Sequence, residues 1–161
     1  MSEEIKVIRT PMRLDYNIQA GADLTKFLTA LAEGRIVGRR SPTGKVYVPP
    51  KGCCPVTGLP MLEEVELPDV GTVVTFCIIN IPFEGQVLQP PYAVGTILLD
   101  ESDLPLFHII GGVDVKDVRM GLRVKAVWRP PAEMAQTLET ILYFEPNGEP
   151  DAPFDSYKEH L

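Results

Sequence analysis

The run Val70-Gly-Thr-Val-Val-Thr-Phe-Cys-Ile-Ile-Asn-Ile81 carries the fold. It is rich in β-branched residues, holds no proline, and is too long for an ordinary hairpin strand. Working outward from it, Tyr92–Leu99, Leu106–Ile110, Leu122–Trp128 and Ile141–Phe144 repeat the same composition. Each is bounded by Gly, Pro or Asp, which break strands and make turns. Met61–Leu67, just before the long run, alternates moderately. Between the third and fourth strands, Asp114–Met120 reads as a short helical turn closed by Gly121.

Five main strands, the first long and with a helical turn after the third, match a small Greek-key barrel of OB type over residues 61–145. A β-sandwich is the alternative, because strand count alone does not separate the two. The chain is therefore expected to be mainly β. Proline agrees with this: 16 of 161 residues, twice the usual ~5%, exclude a helical bundle. One helix is predicted over residues 22–33, where Leu24, Phe27, Leu28 and Leu31 make a single apolar stripe. Asp23 supplies a first-turn carboxylate and Gly34 a C-terminal stop. Residues 1–34 thus form an arm and helix. Residues 35–60 are a separate district of Gly and Pro knuckles, with Tyr47-Val48 as one very short strand. From Glu145 the chain is acidic and Pro-rich, and residues 146–161 read as a tail, disordered or draped.

Fifteen Lys and Arg against 22 Asp and Glu give a net charge of −7 and a pI near 4.8. That balance opposes nucleic acid and anionic membrane alike. Residues 52–115 hold nine carboxylates and no Lys or Arg, so the barrel strands that would carry an oligonucleotide would repel it. The three cysteines include an adjacent pair, Cys53 and Cys54, which is no disulfide framework. Neither a secretory signal nor an apolar stretch of ~20 residues is present, and a cytoplasmic protein is expected. A catalytic pair would have to be Cys77 with His108. Yet Cys77 in Thr-Phe-Cys-Ile-Ile reads as inert core, and His108 in Leu-Phe-His-Ile-Ile as a hydrogen-bonded structural histidine. No catalytic residue is assigned.

The district holds the most specific residues: Gly44-Lys45, Tyr47, Pro49-Pro50, Pro55 and Gly58. Their spacing resembles the zinc-ribbon half of a family of acyl-CoA-associated proteins, formerly a domain of unknown function, that join a leading helix, a rubredoxin-like ribbon and an OB barrel. The family pattern is Cys-x2-Cys-Gly-Lys-x-Tyr-x-Pro-Pro, a spacer, then Cys-Pro-x-Cys-Gly. Its four zinc ligands fall here on Arg40, Thr43, Cys54 and Thr57, so only Cys54 survives. The resemblance implies a ribbon that keeps its shape without zinc, because tetrahedral zinc wants four soft ligands. It extends through Leu28–Gly38, which resembles the entry helix and a following glycine turn. Thr75–Phe83 with Pro90-Pro91-Tyr92-Ala93-Val94, and Asp114–Trp128, continue it.

Members of that family are partners of thiolase-fold enzymes, often in lipid or steroid degradation or acyl transfer. The resemblance implies an accessory subunit that lacks chemistry of its own and has no cofactor. Acyl-CoA would lie in a channel shared with a partner of the sterol-carrier-protein type. A free-standing acyl-CoA binding or carrier module is the alternative. Residues 1–21, the helix stripe and the loop Pro82–Tyr92, with Phe83, Val87 and Leu88 between prolines, are the expected partner surface. Arg39, Arg40 and Lys45 belong to the only concentrated positive patch before residue 116. They are expected to meet the phosphates of CoA or the rim of the partner.

Overall fold

In the computed structural model, residues 7, 14, 15 and 17–161 are described; most of the arm assigned to the partner surface lies outside them. The helix α1 (Gly21–Ala32) forms as its spacing predicts, but its stripe is no partner surface: Phe27 and Leu31 are buried in the protein's own core, with Leu24 and Leu28 packed against it. The helix ends at Gly34, whose φ of +74° is the left-handed conformation a β-carbon disfavours. Three short strands follow: β1 (Ile36–Arg40), β2 (Val46–Tyr47) and β3 (Glu64–Leu67). They form an antiparallel sheet in the order β2-β1-β3. The remaining strands are β4 (Val70–Ile79), β5 (Tyr92–Leu99), β6 (Leu106–Ile110), β7 (Arg123–Trp128) and β8 (Ile141–Pro146). They close a barrel in the order β4-β5-β6-β8-β7, antiparallel throughout except for the parallel β6–β8 seam. This is the five-stranded OB-type barrel, and the sandwich is excluded by the closure.

Residues from α1, the three-stranded sheet and the barrel share one apolar core that runs from Phe27 and Leu31 through Val48 and Leu67 to Ile97, Val124 and Phe144. The long strand makes the closure possible. β4 pairs with β5 from Gly71 to Ile79 and with β7 at Val70–Thr72, so its first residues bridge the two neighbours.

Several expectations change. β1 was hidden among the knuckles, and within it Gly38 is no turn. A β-carbon there would stand 2.7 Å from Val48 Cγ2, so glycine lets the returning chain cross at close range. β3 was placed in the barrel, but its hydrogen-bonded partner is β1, from Ile36↔Leu67 to Arg39↔Glu64. Asp114–Met120 forms no helix element. Instead the Asp114 carboxylate accepts from the Lys116 amide, and the Asp114 carbonyl from the Asp117 amide, in a single tight turn. The tail is draped rather than disordered. Its Ala152 amide donates to the Gly121 carbonyl, Tyr157 is buried, and Arg119 clasps Asp151 with two bonds of 2.6 and 2.7 Å.

Candidate functional site

Cys77 is exposed, not core. The cause is a bulge between Val73 and Thr75. It inserts one residue into β4 and turns the later alternation over, so that Val73 and Val74 are both buried while Thr75 and Cys77 face out. His108 does have the structural role expected. Its Nδ1 accepts the Ile109 amide at 2.9 Å, and its Nε2 faces the Leu138 carbonyl at 3.4 Å. The ring meets Phe144 edge-on at 5.6 Å. Burial pushes the imidazole below its usual range, against a smaller opposing effect from the Leu138 carbonyl. Both ring nitrogens are engaged, so His108 offers no free base to a nucleophile.

The cations of the district do not converge. Arg39 and Arg40 are consecutive on β1 and so leave it on opposite faces. Arg39 pairs with Asp23 of α1 at 3.3 Å, and Arg40 pairs with Glu63 at 2.5 Å while donating to the Gly44 carbonyl. Arg35 bridges Glu33 and Glu66. Lys45 stands exposed in the β1–β2 turn. Each arginine therefore meets an acidic residue of a neighbouring segment, and the patch is far less positive than its sequence.

The apolar candidates do come together. The β4–β5 loop exposes Ile81 and Val87 at 80% and 93%, with Phe83 and Leu88 beside them. Gln86 holds the loop in shape: its side-chain oxygen accepts the Phe83 amide, its own amide donates to the Phe83 carbonyl, and its Nε2 donates to the Tyr92 hydroxyl. These bonds close the turn at Phe83–Gln86 and tie it to the start of β5, leaving the apolar side chains exposed. Val87 and Leu88 form one wall of a slot of about 650 Å³, whose others come from Phe107–Ile109 of β6, Leu138 and Glu139, and Ile141 and Leu142 of β8. The slot opens where β6 and β8 part, their pairing being Ile110↔Phe144 among the described residues. Phe83 is exposed on the same loop but does not line the slot.

Phe107, which lines the slot, and Ile81, exposed at the start of the loop, are not among the residues expected from the sequence. Phe107 was legible: Leu106 and Ile110 point inward, so their odd neighbour on a strand of period two must point out. Ile81 looked like the end of the long strand, which stops at Ile79.

Comparison with known proteins places these features. Residues 64–129 match the family model of the ChsH2 C-terminal OB-fold domain. A DUF35 domain-containing scaffold protein of Pyrococcus furiosus is 26% identical over 95 residues, which is 59% of this chain and 69% of that protein. The fold is shared with the Ltp2-ChsH2(DUF35) aldolase, at a TM-score of 0.61 and 23% identity over 83% of this chain and 98% of that one. It is also shared with a DUF35-family protein of unknown function from Sulfolobus solfataricus, at a TM-score of 0.58 and 20% identity over 76% and 83%.

Proposed function

We propose that this chain is a non-catalytic accessory subunit of a thiolase-like, acyl-CoA-dependent enzyme, acting in lipid or steroid degradation or in acyl transfer. The observation that carries the reading is the apolar face: Ile81, Phe83 and Val87 exposed on a loop braced by Gln86, with Val87 and Leu88 joining Phe107 in the slot. Large exposed apolar groups present surface that water disfavours, and a loop braced beforehand loses less entropy on docking. Two names point the same way, since the P. furiosus relative is called a scaffold protein and the solved neighbour is an aldolase that includes a DUF35 part. The engaged ring of His108 fits a subunit whose partner supplies the chemistry.

Arg39, Arg40 and Lys45 serve, in this reading, as a charged rim around the partner rather than as a phosphate clamp, because both arginines already hold acidic partners. The slot supports a second reading, a free-standing acyl-CoA binding module, because its size and apolar walls suit an acyl chain.

Phe83→Glu combined with Val87→Glu tests the first reading, after co-purification from the native host has identified the bound enzyme by mass spectrometry. Both side chains are exposed, so the thermal midpoint should hold while affinity for the partner falls at least about tenfold. Unchanged affinity would remove the loop from the interface. Calorimetry of the isolated chain with an acyl-CoA then decides the second reading, which requires measurable binding with no partner present.

A further inference from the structure

The four positions that would hold zinc in the resembled family behave as a group here, and not as a metal site. Thr43, Cys54 and Thr57 are spread over two knuckles, where the Thr57 hydroxyl accepts the Leu59 amide at 3.4 Å and both threonines act to lower the Cys54 thiol. The sulfur is fully buried, whereas both threonines are exposed. Each knuckle is closed by its own backbone bonds. In the first, the Ser41 amide donates to the Lys45 carbonyl and the Gly44 amide to the Ser41 carbonyl. In the second, the Cys54 amide donates to the Leu59 carbonyl and the Gly58 amide to the Cys54 carbonyl, each at 2.8 Å. The hydroxyls of Ser41 and Thr43 join at 2.8 Å. Arg40, at the fourth position, turns its guanidinium to Glu63 and the Gly44 carbonyl. Tyr47, Cys54 and Met61 pack into a small buried cluster with Leu104 against it.

These residues do not fit zinc. The metal takes thiolate, imidazole or carboxylate, and neutral hydroxyls with a guanidinium supply one thiolate and an added positive charge. We infer that the knuckle pair is a metal-independent clasp, in which two backbone-closed turns around a sealed Cys54, with the Ser41–Thr43 hydroxyl pair and the Arg40–Glu63 pair beside them, hold the chain where a metal would. The direction of the Cys54 thiol agrees. The Thr57 hydroxyl, first among several donors, holds it below the usual thiol range despite the opposing effect of burial. The inference does not depend on the partner: a chain that never binds a thiolase would still be clasped this way.

The test uses the full chain. Elemental analysis of protein purified without chelator should find zinc far below one atom per chain, and chelation should leave the thermal midpoint unmoved. Thr43→Val with Thr57→Val removes the hydroxyl that joins Ser41 and the one that accepts the Leu59 amide, both at exposed positions, and should lower the midpoint by roughly 2–6 °C. Thiol titration should find Cys53 and Cys77 reactive at once and Cys54 only on unfolding. Stoichiometric zinc whose removal lowers the midpoint, or a double-valine variant as stable as wild type, would overturn the clasp. A gain-of-function variant tests the convergence: Arg40→Cys, Thr43→Cys and Thr57→Cys together should bind cobalt(II) with a tetrahedral thiolate spectrum that wild type lacks. If the triple variant binds no cobalt, these four positions do not surround a common point, and the claim that the clasp stands in the metal's place is wrong.

Discussion

The barrel and the knuckles are held together in different ways. The barrel and α1 share a continuous apolar core, with Phe27, Leu31, Ile97, Val124, Ile141 and Phe144 all essentially inaccessible to water. Beyond Val46 and Val48, which join that core, the knuckle turns have a small cluster of Tyr47, Cys54 and Met61, with Leu104 alongside, and a net of polar contacts. A large core distributes the effect of any one loss through the whole cooperative unit. A small plug under hydrogen-bonded turns can open by itself. The difference suits the proposed roles: a rigid barrel positions the docking face, while the knuckle district carries the charged rim.

Two substitutions measure that difference directly. Phe144→Ala empties a fully buried site that also supports His108, and should cost about 3–5 kcal/mol, seen as one concerted fall in the urea midpoint by every probe. Met61→Ala should cost about 2–3 kcal/mol at most, and its effect should be regional. Hydrogen exchange should speed up in the knuckle amides of Ser41, Gly44, Cys54 and Gly58, with the β4–β5 amides unchanged. If exchange rises equally in both regions, the knuckles are not a separate unit and the contrast fails.

What was legible in the sequence follows the same division. The five barrel strands declare themselves because a half-buried strand writes its own period, and their edges fall within about two residues of the expected ones. Features that depend on distant partners do not declare themselves. β1 holds a glycine and two arginines, and becomes a strand only because Glu64–Leu67 pairs with it. The acidic tail looked unstructured because the cations that anchor it, Arg119 and Arg123, lie some thirty residues earlier in the chain. Cys77 was misread for a local reason with a long reach: one bulged residue reverses the faces of everything after it. Of the candidate site, Phe83, Val87 and Leu88 were readable as apolar residues stranded between prolines. The slot was not, since it exists only where β6 and β8 diverge.

Acid should separate the two regions by their smallest expected effect. His108 belongs to the barrel, and burial holds its imidazole below the usual value of ~6.5. In the unfolded chain it protonates near that value; in the folded chain it stays neutral until the pH is lower. Between the two the unfolded state binds more protons, so its contribution is full above pH ~6.5 and declines as the pH falls toward the folded value. Arg129 and Glu139 also line the slot, opposite in charge. The knuckles hold no histidine. Glu63, beside Arg40, is held below the ordinary carboxylate range of ~4.3 by its own backbone amide first and by that arginine second. Wild type should therefore lose stability between pH 7.5 and 5.5, a range that spans the ordinary imidazole value of ~6.5. His108→Gln keeps a polar side chain of similar reach and should flatten that decline while starting less stable at the higher pH. Urea midpoints of both proteins at the two pH values decide it, with exchange of the knuckle amides followed in parallel. Parallel declines in the two proteins, or knuckle exchange that rises with the barrel's, would assign the acid sensitivity elsewhere than to His108.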